Sequence, residues 1–164
     1  MIFATVGTQL PFDRMVNVFD NWVKKQGVKG CFSQICKGGT PTQHMQCAEM
    51  LTASQFAKKI ADCKVILGHA GIGTVLTALR VQKPIIMMPR QSVYGEHRND
   101  HQVATAKEFM RRAGMHVAWN EAELEKLLNQ YQSLSSGIEI YNDADPHLLS
   151  AVSGFIYGRE SAYV

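Results

Sequence analysis

Residues Val65 to Arg90 read V-I-L-G-H-A-G-I-G-T-V-L-T-A-L-R-V-Q-K-P-I-I-M-M-P-R. Val65–Leu67 and Ile85–Met88 are short apolar runs that suit buried strands, while Ile72, Val75, Leu76 and Leu79 recur at the spacing of one helix face. Strand, glycine turn, helix, loop and strand make a βαβ unit. Between its first strand and its helix stand Gly68, Gly71 and Gly73, with His69 and Thr74 among them. Bare backbone N–H groups, an imidazole and a hydroxyl therefore gather at a helix N-terminus, a place that attracts phosphate.

The same alternation extends in both directions. Ile2–Val6 predicts a strand ending in Gly7-Thr8-Gln9, and a helix from about Pro11 buries Phe12, Met15, Val16, Phe19, Trp22 and Val23. Cys31–Cys36 and Cys47–Leu51 read as short strands, followed by a helix from Ser54 to Ala61 with Phe56, Ala57 and Ile60 inward. Beyond Arg90 a polar loop leads to a long helix expected from about Glu96 to Ala113, with Val103, Ala106, Met110 and Ala113 on one face and Gly114 as its cap. Met115–Trp119 is a last strand, and Asn120 with Glu123 signals the capped start of a helix over Glu121–Tyr131. Strands alternating with helices predict an α/β fold, a Rossmann-like, mostly parallel sheet of about six strands with helices on both faces. In such sheets ligands bind beyond the carboxyl ends of the strands, where both glycine turns lie.

Composition bounds the function. The 164 residues suit one domain, and a formal charge of +3 from 17 basic and 14 acidic residues gives no bulk attraction for nucleic acid. No apolar run approaches the roughly 18–20 residues of a membrane span, and Met1 leads straight into a strand without a leader-like segment. Cys31, Cys36, Cys47 and Cys63 lack metal-site or disulfide-scaffold spacing, so reduced thiols in a cytoplasmic protein are expected.

Three groups of residues carry candidate chemistry. His69, Gly71, Gly73 and Thr74 read as a phosphate cradle, although glycines at such a turn also serve plain close packing. Their spacing is neither the dinucleotide fingerprint nor a P-loop, so neither NAD nor ATP is indicated. Gly7 and Thr8 form a second candidate phosphate contact. In the run Gly95–Gln102, Asp100, His101 and Gln102 offer the paired donors and acceptors that a hydroxylated ligand such as a sugar requires. His97 and His101 at helical spacing suit a metal less well, because no further acidic or histidine cluster completes a shell, and no metal is expected. Arg90 and Arg98 are candidates for an anionic group. Asp13 is a weak candidate for a catalytic base, a first-turn acid favoured by the helix dipole being the plainer reading.

The combination V-G-T-Q, H-A-G-I-G-T, K-P-I-I-M-M-P-R and N-D-H-Q resembles the C-terminal, donor-binding domain of family 28 glycosyltransferases of the GT-B fold, over roughly residues 1–132. More narrowly it is similar to stand-alone forms of that domain, the cytosolic subunit of the dolichol-diphosphate N-acetylglucosamine transferase and the exopolysaccharide subunits of PssE type. The run G-E-H-R-N-D-H-Q leans toward the bacterial kind. The resemblance implies that His69, Gly71, Gly73 and Thr74 hold the diphosphate of a UDP-sugar, that the Gly7-Thr8 loop approaches it from the other side, and that His101 and Gln102 lie near the sugar. Many relatives carry a ribose-binding Glu where this chain has Thr77.

A GT-B enzyme closes two domains around one cleft, and this chain has room for the donor domain alone. The resemblance therefore implies a two-component inverting UDP-sugar hexosyltransferase acting on a lipid-diphosphate-linked saccharide, its acceptor site and general base supplied by a membrane-associated partner. No cofactor is expected, the UDP-sugar being a substrate. Residues 133–164 are expected to form an extension whose amphipathic run Pro146–Tyr157 docks on that partner or packs back on the domain. The chain would then sit peripherally at the inner face of a membrane. A non-catalytic nucleotide-sugar-binding or structural subunit is the competing reading, and UDP-sugar epimerisation on the same architecture is another.

Overall fold

The computed structural model describes residues 1–137, and the run Pro146–Tyr157 lies outside them. Six parallel strands form one sheet in the order β3-β2-β1-β4-β5-β6: β1 (Ile2–Thr5), β2 (Phe32–Gln34), β3 (Gln46–Ala48), β4 (Val65–His69), β5 (Ile85–Met88) and β6 (Met115–Val117). Each pair is parallel, and β1 lies beside β4 with Thr5 opposite Gly68. From β1 the chain winds outward to β3, then returns through β4 and winds the other way. The crevice between the loops that leave β1 and β4 is the switch point where doubly wound sheets bind ligands.

Successive side chains of a strand point to opposite faces, so each central strand feeds two cores. Ile2, Ala4, Val65, Leu67, Ile86 and Met88 meet Met15, Phe19 and Trp22 of α1 (Asp13–Gln26) and Leu124 and Leu128 of α5 (Glu121–Asn129). Phe3, Ile66, Ile85 and Met87 meet Ile60 of α2 (Ala53–Asp62) and Val75, Ala78 and Leu79 of α3 (Ile72–Arg80). Burying one such side chain contributes about 1.5–3 kcal/mol. The apolar runs of β1, β4 and β5 are continuous because both faces are covered.

Several element ends differ from the sequence-based expectation. Helix α1 begins at Asp13 with Phe12 at its N-cap, leaving Pro11 in the loop, and β3 starts one residue earlier than expected and stops at Ala48. Within α2, Ala57 faces solvent, and Thr52 with Gln55 supplies a full capping box at its start. Ile72, read as a core position, is 53% exposed, because it is the first residue of α3 and projects into the crevice mouth; Ala78 completes the buried face instead. The largest departure follows Arg90. A short 3-10 turn over Ser92–Tyr94 closes on Gly95 at φ 68°, and α4 runs only from His101 to Phe109. Met110 and Ala113 are exposed, and Gly114 (φ 79°) turns the chain into β6 well past the end of α4 at Phe109. Asn120 caps α5 as expected, its Oδ1 accepting the Glu123 N–H at 2.9 Å, while Glu123 Oε2 accepts the N–H of Trp119 at 3.0 Å.

The chain stays on the domain past residue 132. Leu134 packs against the first core, the Ser135 carbonyl lies 3.2 Å from His116 Nε2, and Gly137 lies against Gly114. All four cysteines are free thiols, and among the described residues no helix is long and apolar enough to cross a membrane.

Candidate functional site

A cavity of about 700 Å³ opens at the carboxyl ends of the strands. Gly7, Thr8, Gln9 and Leu10 line it from the β1–α1 loop, His69, Gly71, Ile72, Gly73, Thr74 and Thr77 from β4 and α3, and Arg90, His97, His101 and Gln102 from the segment after β5. The β4–α3 turn, the β1–α1 loop and the start of α4 therefore converge on one volume. Helix α3 presents its N-terminus there with Gly71 at the N-cap, no capping side chain and no acid in its first turn. Its positive end is left for a ligand to satisfy.

His69 is wedged between two glycines. A Cβ at Gly7 would stand 2.8 Å from His69 Cε1, and one at Gly71 would overlap the ring at Nε2, so both positions must lack a side chain. Gly7 also has φ 81°, a conformation that costs other residues energy. Burial pushes the His69 pKa down to about 4; the charges of Arg90, His97 and His101 add to that, and a nearby backbone group of Thr5 opposes it. The imidazole is neutral at pH 7. Its Nδ1 is buried without a hydrogen-bond partner. A neutral imidazole has one N–H to donate, and an anion oxygen is its natural acceptor.

The loop over His69 is braced by residues that the sequence pattern did not single out. Gln34, at the end of β2, accepts the Thr5 hydroxyl proton at 2.6 Å and donates from Nε2 to the Gly7 carbonyl at 3.0 Å. Leu51, Ala53 and Phe56 make a more apolar end of the cavity, and His97 adds an imidazole whose Nδ1 is also buried without a partner. The signal for Gln34 is its place at the carboxyl end of a strand. Phe56 carried only the pattern of a core residue.

Other candidates take different places. Arg90 lines the cavity but is 2% exposed, and its guanidinium is spent on the carbonyls of Val6, Leu10 and Pro11 instead of lying open to an anion. Arg98 is exposed and outside the lining. Asp100, also outside it, accepts the Ser92 N–H at 2.8 Å, a bond that holds its carboxyl below the ordinary carboxylate range. Asp13 accepts the N–H and hydroxyl of Thr40 at 3.1 and 2.6 Å, pinning that turn to α1 away from the cavity. Gln102 lines the cavity, yet its Oε1 accepts the Arg90 N–H at 3.2 Å. His101 is exposed at the mouth, its ring edge-to-face with His97 at 4.4 Å. Thr77 turns its hydroxyl back onto the Gly73 carbonyl at 2.8 Å. Among the described residues, no Asp or Glu lines the cavity and no three His, Cys, Asp or Glu side chains are placed to hold a metal ion.

The family model for the glycosyltransferase family 28 C-terminal domain matches residues 1–152. The chain belongs to this family. It is 25% identical over 99 residues to the UDP-N-acetylglucosamine transferase subunit ALG13 of Debaryomyces hansenii, which covers 60% of this chain and 45% of that protein. The chain thus spans less than half the length of that curated relative. An NMR solution structure of ALG13 superposes with a TM-score of 0.57 at 16% identity, covering 92% of this chain and 93% of the other. The crystal structure of Acinetobacter baumannii MurG gives a TM-score of 0.59 at 16% identity over 80% of this chain and 42% of that one. The fold of this family 28 domain is thus the Rossmann-like domain of GT-B glycosyltransferases.

Proposed function

We propose that this family 28 domain binds the UDP-sugar donor of a two-component inverting glycosyltransferase. The carrying observation is the neutral His69 held between Gly7 and Gly71 beside the uncapped N-terminus of α3. In this reading an acceptor hydroxyl attacks the anomeric carbon, the bond from that carbon to the diphosphate oxygen breaks, and UDP leaves. Gly71, Gly73 and Thr74, together with His69, Gly7 and Thr8, receive the charge that grows on the departing diphosphate, because preorganised donors act most strongly where charge develops. His101 and Gln102 are the sugar-side groups, and the UDP-sugar is a substrate, with no cofactor called for.

The absence of a carboxylate from the described cavity lining supports assigning the general base to a partner chain that also brings a lipid-diphosphate-linked saccharide. The relative named as a UDP-N-acetylglucosamine transferase subunit supports a multi-chain enzyme. Exopolysaccharide assembly at the inner face of a membrane is the setting this reading favours, with the run Pro146–Tyr157 as the partner-docking element. The same missing carboxylate also favours a second reading, a nucleotide-sugar-binding subunit with no catalytic group of its own.

Ligand-detected binding of UDP and a panel of UDP-sugars tests the proposal. UDP and one UDP-sugar are expected to bind, and binding of neither, alone or with the partner, overturns it. Product formation with the partner, abolished by His69→Ala in folded protein, separates the catalytic reading from the silent one.

A further inference from the structure

Four backbone carbonyls of the segment between β1 and α1 are bound by buried side chains behind the cavity it lines. Arg90 receives three of them: its guanidinium donates to Val6 and Leu10 at 3.0 and 2.6 Å and also to Pro11. Gln34 takes another, that of Gly7. Among the described residues the amides of Thr8 and Gln9 donate to no protein group. A loop with the Val6, Gly7, Leu10 and Pro11 carbonyl oxygens engaged elsewhere and the Thr8 and Gln9 amides free is receptive to an anion, since the repelling ends of those four peptide dipoles are neutralised.

Arg90 itself is fixed from several directions. It lies just past β5, beyond Pro89, its N–H is held by Gln102 Oε1, and its guanidinium lies over the Phe12 ring at 4.7 Å from the centroid. The acid whose charge acts on it is Glu96, which is bound to Arg14 at 2.5 Å. Among the described residues Arg90 forms no ion pair of its own.

We propose that Arg90 is a positioning residue of the donor site, gathering the Val6, Leu10 and Pro11 carbonyls so that the Gly7–Gln9 loop is shaped to receive a diphosphate over His69. It acts through the loop and through its charge, without touching the ligand. This rests on the donor-binding reading above.

The test uses the full chain with Arg90→Lys and Arg90→Gln, UDP as the probe in isothermal titration calorimetry, and an NMR pH titration of the His69 ring. Lys keeps the charge but loses the planar fork that serves carbonyls on both of its edges. Arg90→Lys is expected to weaken UDP at least tenfold with His69 still titrating near 4. Arg90→Gln is expected to weaken UDP similarly and to move the His69 titration upward. If folded Arg90→Lys binds UDP within twofold of the wild type, the inference is overturned whatever the loss of thermal stability; should Arg90→Gln not fold, Arg90→Lys decides alone. Failure of the wild type to bind UDP instead removes the donor-binding reading and this inference with it, an outcome distinct from wild-type binding that the variants leave unchanged.

Discussion

Gly7 and His69 are in contact across the switch point, so close that a Cβ on Gly7 would stand 2.8 Å from the imidazole Cε1. This makes β1 and β4 partners in one site: the loop from one strand roofs the histidine at the end of the other. Gly7→Ala is expected to displace the ring and strain the backbone at φ 81°, costing about 1–3 kcal/mol of stability. UDP affinity should fall at least tenfold. Urea unfolding and calorimetry measure the two effects.

Gly73 provides the contrast. It lies within α3, and a Cβ there meets nothing within 4 Å. Ala in place of Gly in a helix gains about 0.5–1 kcal/mol. Gly73→Ala should therefore raise the unfolding midpoint while weakening UDP, because the added methyl enters space reserved for ligand. Unchanged UDP affinity would remove Gly73 from the binding groups.

His69 also sets a pH dependence. Its pKa drops from 6.5 to about 4 in the folded chain, so between those values the unfolded state binds more protons. Stability is full above the unfolded value and falls as pH drops toward 4, by roughly 3 kcal/mol at most. His69→Gln should flatten this slope in urea unfolding followed from pH 7 to 4. UDP should raise the His69 titration midpoint, because a phosphate oxygen favours imidazolium.

Much of this architecture is legible in local pattern because the physics behind it is local. The apolar runs of β1, β4 and β5, the glycine turn before α3 and the Asn120 cap depend on near neighbours in sequence. Arg90 and Asp13 depend on distant ones. Nothing near Asp13 in sequence shows that Thr40 will claim its carboxylate, and nothing near Arg90 announces the carbonyls of Val6, Leu10 and Pro11. Helix α4 starts at His101, later than the expected Glu96, because an unbroken polar run carries no helical period. Gly95 and the Asp100 bond to Ser92 fold that run back as a loop instead.

Thr77 tests the ribose end. Its hydroxyl is committed to the Gly73 carbonyl, i to i−4, yet the residue lines the cavity. Thr77→Glu supplies the acid that the resemblance to family 28 implies at this place and presents two acceptors to the cavity. UDP affinity is expected to rise severalfold relative to 2′,3′-dideoxy-UDP, for which it should not change. Equal effects on both ligands would mean that ribose lies elsewhere.

His101 and Gln102 stand side by side in sequence but differ in what holds them. His101 is exposed at the mouth, while Gln102 is 4% exposed and bonded to the Arg90 N–H. His101→Ala should therefore leave UDP affinity and stability unchanged and weaken only the UDP-sugar, by the tenfold or so that one lost hydrogen bond of about 1.5 kcal/mol implies. Gln102→Ala removes the buried acceptor, so it should cost about 1–3 kcal/mol of stability. Because Arg90 holds the β1–α1 loop, the same change should weaken UDP as well as the UDP-sugar. Calorimetry on both variants with both ligands separates a residue that meets the sugar from one that also supports the diphosphate loop. If Gln102→Ala spared UDP, the link from α4 through Arg90 to Gly7 would be broken.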